Sequence, residues 1–194
     1  MSKSVAQDDA RQQLIAVHCG LFNSSKRYGA DALDEQQNEF EIKSGTTKNF
    51  ISTARDFGFN ILNEYRKKYW VIASGTLHNN KIYTMDELYI AHPNNLEFFF
   101  GKVEETLQQH QHVVNLIKNT NIPLVIQEKK LMDKILHRGM TLNDPRINMK
   151  DVRVNCTKLD HHSQKKATQQ VKMFVKNNPI HTKLKVTKER HNFW

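Results

Sequence analysis

The residues of this 194-residue chain best equipped for chemistry lie close together: Asp31, then Glu41 and Lys43. Two carboxylates supply the hard oxygen ligands that Mg²⁺ needs. An ammonium beside them can stabilise negative charge developing on a phosphoryl oxygen, or orient an attacking water. A cation held there would neutralise a scissile phosphate and acidify a water, and two cations would clamp the attacking and leaving oxygens. The chemistry implied is metal-dependent phosphodiester hydrolysis. Glu-x-Lys behind an upstream Asp also arises in charged strands that pair their side chains on a solvated face. The elements that carry these residues therefore matter as much as the residues.

Glu39-Phe40-Glu41-Ile42-Lys43 alternates charged with apolar residues, the period of a half-buried strand. Glu39, Glu41 and Lys43 then share one face, and Phe40 and Ile42 the other. Residues 29–38 read as a polar, hairpin-like connection that delivers Asp31 ahead of this strand. Upstream, Leu14, Ile15, Val17 and Leu21 recur near helical spacing and predict a helix over residues 8–22. Downstream, residues 52–68 read as an amphipathic helix. At about 100° per residue Phe57, Ile61 and Tyr65 fall together, with Ser52, Arg55, Asp56, Phe59 and Asn63 opposite. Residues 69–74 are an apolar run suited to a buried strand, with residues 81–84 as its neighbour. A long helix is expected over 96–119, a short strand over 122–127 and a helix over 129–137. A further helix over 163–176 is stopped by Asn177-Asn178-Pro179, and residues 181–187 alternate as a final strand.

Composition narrows the function. The length suits one domain. Lys and Arg outnumber Asp and Glu by 29 to 20, for a net charge of +9, which favours a polyanionic partner without identifying it. No apolar run approaches the roughly 18 residues of a membrane span, and the polar start with Asp8 and Asp9 does not suit a secretory signal. Cytoplasmic residence with no membrane partner is expected. Cys19 and Cys156 are far apart and read as reduced thiols, with neither a disulfide framework nor a zinc site. No glycine-rich phosphate loop is present. His110 and His112 diverge on a helix, and His161-His162 suit phosphate or solvent better than zinc.

The segment around the acidic pair resembles the PvuII restriction endonucleases of the PD-(D/E)XK nuclease superfamily, whose motif runs D-A-V-D-x4-E-Y-E-L-K-S. Here Asp31-Ala32-Leu33-Asp34 is followed after four residues by Glu39-Phe40-Glu41-Ile42-Lys43-Ser44, in register. The resemblance implies an α/β restriction-endonuclease-like fold with a central mixed β-sheet flanked by helices. It makes Asp31 and Glu41 the metal ligands and Lys43 the catalytic lysine, which is also what the strand geometry suggests. The family's Ser-Thr, followed by three histidines that include guanine readers, corresponds to Ser52-Thr53 with Ala54, Arg55 and Asp56 in the histidine positions. Tyr65, thirteen residues after Ser52, matches a tyrosine near the metal site. The recognition sequence does not carry over. Chemically, Arg55 can bond a guanine at O6 and N7, and Asp56 can accept from cytosine N4 or buttress Arg55. Asn177-Asn178-Pro179 resembles the family's N-N-P element, whose first Asn contacts adenine. Lys183 and Lys185 beyond it read as phosphate contacts.

The resemblance covers residues 14–107 and 177–186, about half the chain. Residues 105–170 are expected to be a helical insertion within a single endonuclease domain over 1–194. No counterpart is expected for the N-terminal segment through which the PvuII family dimerises, and Tyr28 stands where the family has an acidic residue. The expected activity is that of a type II restriction endonuclease, using Mg²⁺ (or Mn²⁺) to cut double-stranded DNA at a short palindromic site. A homodimer would supply the two active sites. A companion DNA methyltransferase is expected as a separate chain. A structure- or damage-directed nickase or resolvase, and an inactive DNA-binding protein on a nuclease fold, remain open alternatives.

Overall fold

The computed structural model describes residues 3–24, 29–79, 82–119, 133, 136 and 139–180, with side chains from Ala10 onward. The N-terminal helix α1 (Lys3–His18) leads into β1 (Phe22–Asn23), β2 (Ala32–Leu33), β3 (Glu39–Gly45) and β4 (Phe50–Ser52). Then come α2 (Phe59–Tyr65), β5 (Tyr69–His78), β6 (Ile82–Ala91) and, after a 3-10 turn at Pro93–Leu96, α3 (Glu97–Asn119). The described C-terminal part holds β7 (Arg146–Asn148), α4 (Met149–Asn155), β8 (Thr157–Lys158) and α5 (Gln164–Asn177).

Among the described residues six strands form one mixed sheet in the order β1-β2-β3-β5-β6-β8, in which only β3 and β5 run parallel. A parallel pair requires a crossover, and β4 and α2 provide it. Strand alternation sorts the residues into two cores. Phe40, Ile42, Tyr69, Val71 and Ala73 pack on one face against Ile15 and Ala16 of α1, Cys19 just beyond it, and Val171 and Phe174 of α5. Trp70 and Ile72 pack on the other against Leu62, Phe99, Phe100 and Val103 from α2 and α3 and Val152 from α4. A sheet covered on both faces explains why residues 69–74 read as an unbroken apolar run. The observed architecture is the expected α/β one.

Local readings are corrected at three places. The helix expected over 52–68 is confined to α2, because its first half pairs with distant chain. Ser52 is opposite Arg146 in a two-stranded ribbon of β4 and β7. Phe57 and Leu142 exchange two backbone hydrogen bonds of 2.8 Å, and Asp56 adopts a left-handed backbone conformation, φ 51°, that no helix interior accommodates. Helical periodicity there was produced by Phe57, Leu62 and Tyr65 facing the same core. Helix α1 stops at His18, and Gly20 at φ 69° turns the chain so that Phe22 enters a strand. The described part of residues 105–170 is not all helix: β7 completes the ribbon with β4, and β8 covers the edge of β6, where unpaired backbone groups would otherwise face solvent. The strand expected over 122–127, most of the helix over 129–137 and the strand over 181–187 lie outside the described residues.

Candidate active site

The acidic pair is assembled by a tight hairpin. Asp34 is buried and accepts hydrogen bonds from the Gln36 and Asn38 amides and from the Asn38 side chain at 2.8–2.9 Å. It therefore holds the turn from β2 to β3 closed. With Gln37 at φ 66°, the turn folds β2 antiparallel onto β3, so that Asp31 lies alongside the middle of β3. There Asp31 Oδ2 accepts the Ile42 amide at 2.8 Å.

Glu41 and Lys43 share the face of β3 expected for them. Their side chains pair at 2.6 Å, 4% and 12% exposed. Phe40 and Ile42 point into the opposite core. Tyr65, the last residue of α2, is fixed from three directions. Its ring meets Phe57 and Trp70 edge-on at 5.4 and 4.9 Å, and its carbonyl accepts the Trp70 indole N–H. Lys43 Nζ lies 5.5 Å from the centre of that ring.

The electrostatics follow from crowding charges in a poorly solvated place. Burial, then the nearby Glu41 charge, raise the Asp31 carboxyl to about 6 against the pull of Lys43. Burial disfavours the Lys43 ammonium, but Glu41, with Tyr65 and Asp31 behind it, outweighs that penalty and pushes its pKa up. Burial likewise pushes the Tyr65 phenol up, so it remains a neutral donor at ordinary pH. The centre thus presents two carboxylates, a firmly charged lysine and a protonated phenol. Asp31 and Glu41 fit a hard cation such as Mg²⁺, which binds through one or two carboxylates and keeps several waters. Among the described residues no group of three or more His, Cys, Asp or Glu stands ready to ligate a metal.

From Lys43 a cleft of about 570 Å³ runs along Ser44, Gly45, Thr46 and Thr47 to Ser52, Thr53 and Arg146, with Arg11 and Gln12 of α1 on its other wall. Ser52 therefore lies in the same cleft as Lys43. Arg55 and Asp56 are exposed in the turn after β4. The helical face that was to bring them together with Ser52 does not form. Asn177 ends α5 and is exposed, whereas Asn178 caps the helix: its Nδ2 donates to the Phe174 carbonyl at 2.9 Å. The bond to Phe174 gives Asn178 a structural task. Lys183 and Lys185 lie outside the described residues.

Two residues at this centre escaped the sequence reading. Lys68 belongs to a run, Arg66-Lys67-Lys68, that looks like any solvated charge cluster, yet it is 3% exposed and its Nζ lies 3.5 Å from Glu41 Oε2. Its only signal is its place directly before the apolar strand. Because β5 runs parallel to β3 with Phe40 opposite Tyr69, the residue before Tyr69 is drawn to the start of β3. Arg146 carried no signal at all, since its pairing with Ser52 spans the chain.

A family model described as restriction endonuclease PvuII matches residues 2–132 of the chain. The matched span contains Asp31, Glu41, Lys43, Ser52 and Tyr65, and ends before Arg146. No curated protein matches the chain.

Proposed function

The chain belongs to the PvuII restriction endonuclease family, and from that premise we propose that it cuts both strands of duplex DNA at a short palindromic sequence, with Mg²⁺ or Mn²⁺ as cofactor. The observation that carries this reading is the grouping of Asp31, Glu41 and Lys43 on and beside β3, with Lys43 lining one end of a cleft whose far end is the β4–β7 ribbon. When bound, the divalent ion supplies charge neutralisation at the phosphate and acidifies a water.

The chain's own residues do the rest. Asp31 and Glu41 hold the ion from two adjacent strand segments. The Lys43 ammonium faces the reacting phosphate and stabilises the negative charge that builds on its oxygens. The neutral Tyr65 phenol donates a hydrogen bond that orients water or phosphate. A two-stranded ribbon fits the major groove, so Ser52, with Arg146 beside it, reads base edges near the cut. Arg55, Asp56 and Asn177 are further reading residues, and Lys183 and Lys185 grip phosphates. A homodimer aligns two such centres with the two-fold axis of the site. A separate methyltransferase protects host DNA.

The test is digestion of a sequenced, sequence-diverse DNA with Mg²⁺, followed by mapping of the ends. Discrete double-strand fragments sharing one short motif are expected. Sequence-blind nicks would indicate a structure-directed nuclease, and intact DNA despite binding would sink the enzyme reading.

A further inference from the structure

Both carboxylate oxygens of Glu41 are engaged by ammonium groups of its own chain. Lys43 lies 2.6 Å from Oε1, and Lys68 3.5 Å from Oε2. Lys68 is as deeply buried as Glu41, and its Nζ also donates to the Gly29 carbonyl at 2.8 Å, two residues before Asp31. It stands 5.8 Å from the centre of the Tyr65 ring. A charge so far from water costs free energy unless it is paired and hydrogen-bonded, and here it is both. One fixed cation thus ties the segment carrying Asp31 to the side chain of Glu41.

The charge count decides what that cation does. Asp31 and Glu41 against Lys43 and Lys68 leave the centre near neutrality before any divalent ion enters. One ion raises it to about +2, which the incoming phosphodiester partly offsets, and a second would raise it to about +4. Among the described residues no third His, Cys, Asp or Glu joins Asp31 and Glu41 to hold that second ion.

We propose that Lys68 stands in for a second metal ion. Each active site takes one divalent cation, and the Lys68 ammonium supplies the fixed positive charge on the other oxygen of Glu41. This rests on the metal-dependent nuclease reading above and specifies its metal requirement.

Mn²⁺ alone, titrated into the metal-free full-length chain and followed by electron paramagnetic resonance of the free ion, tests the proposal. The wild type is expected to take one Mn²⁺ per chain. Lys68→Gln, which drops the charge but keeps an amide donor, is expected to bind Mn²⁺ roughly tenfold tighter or to take a second ion. Lys68→Arg should keep the wild-type count. Circular dichroism and thermal melts establish that each variant is folded, and the wild-type count needs no variant. Two ions per wild-type chain overturn the inference, as does a folded Lys68→Gln with unchanged affinity and stoichiometry. A chain that cleaves DNA with two ions bound defeats this inference alone. One that binds a single ion but never cleaves defeats the nuclease reading alone.

Discussion

Lys43 and Glu41, two residues apart on β3, hold each other at 2.6 Å on the face of the sheet that looks toward α2, with Tyr65 closing over them. Strand periodicity makes them neighbours, and the core beneath Trp70 and Tyr65 makes them poorly solvated. That combination keeps Lys43 charged where a phosphate would arrive.

Replacing Lys43 by Ala removes that charge while Lys68 still accompanies Glu41. Single-turnover cleavage of plasmid DNA with Mg²⁺ is expected to slow by roughly 10²–10³, the usual cost of losing one preorganised donor. DNA binding measured in Ca²⁺ should change only a few-fold. A variant that cleaves within tenfold of the wild type would remove Lys43 from the mechanism.

Asp31 gives a pH dependence with a definite sign. Its carboxyl is raised to about 6 by burial and by Glu41, so the metal-free native state holds the proton more tightly than the unfolded chain does. The associated stability is complete below the ordinary carboxylate value of 3.8 and is lost as pH rises through about 6. Asp31→Asn keeps an acceptor for the Ile42 amide and should therefore stabilise the metal-free protein at pH 8 by about 2 kcal/mol, with the gain vanishing toward pH 4. Urea denaturation in EDTA at both pH values measures this. Mg²⁺ should stabilise the wild type and leave the variant unaffected. Equal gains at pH 4 and pH 8 would contradict the assignment.

Arg146 is 65% exposed and loosely paired with Asp144 at 3.9 Å, leaving its guanidinium available to a base edge. The neighbouring structure is held by other contacts, from the Thr53 amide to Asp144 and from the Thr53 hydroxyl to the Pro145 carbonyl. Arg146→Ala should therefore change stability by less than about 0.5 kcal/mol. It should weaken binding to the mapped cleavage site by about 1–3 kcal/mol, while binding to a scrambled duplex changes less. Fluorescence anisotropy with the two duplexes decides the matter, and equal losses would make Arg146 a phosphate contact.

The two asparagines at the end of α5 should separate cleanly. Asn178→Ala removes the hydrogen bond to the Phe174 carbonyl and is expected to cost about 1 kcal/mol of stability, with little effect on DNA. Asn177→Ala should leave the melting temperature alone and weaken binding to the mapped site. Thermal melts and anisotropy on both variants check this, and the reverse pattern would exchange their roles.

The sequence by itself determined the catalytic strand, because a period of two is a local property. Glu41 and Lys43 must share a face wherever β3 lies, and the in-register motif running from Asp31 to Ser44 named the family. The continuous apolar run at residues 69–74 likewise announced a strand buried on both faces. Tertiary structure decided what depends on partners far along the chain. Residues 52–57 carry a helical pattern, yet Arg146 and Leu142 draw them into strand pairing, since backbone hydrogen bonds to a neighbouring segment outweigh weak local preference. The same pairing puts Arg146 beside Ser52. Lys68 shows the limit most clearly. Apart from its place directly before the apolar strand, nothing distinguishes it within a run of basic residues, and it is the β3–β5 register that makes it the partner of Glu41.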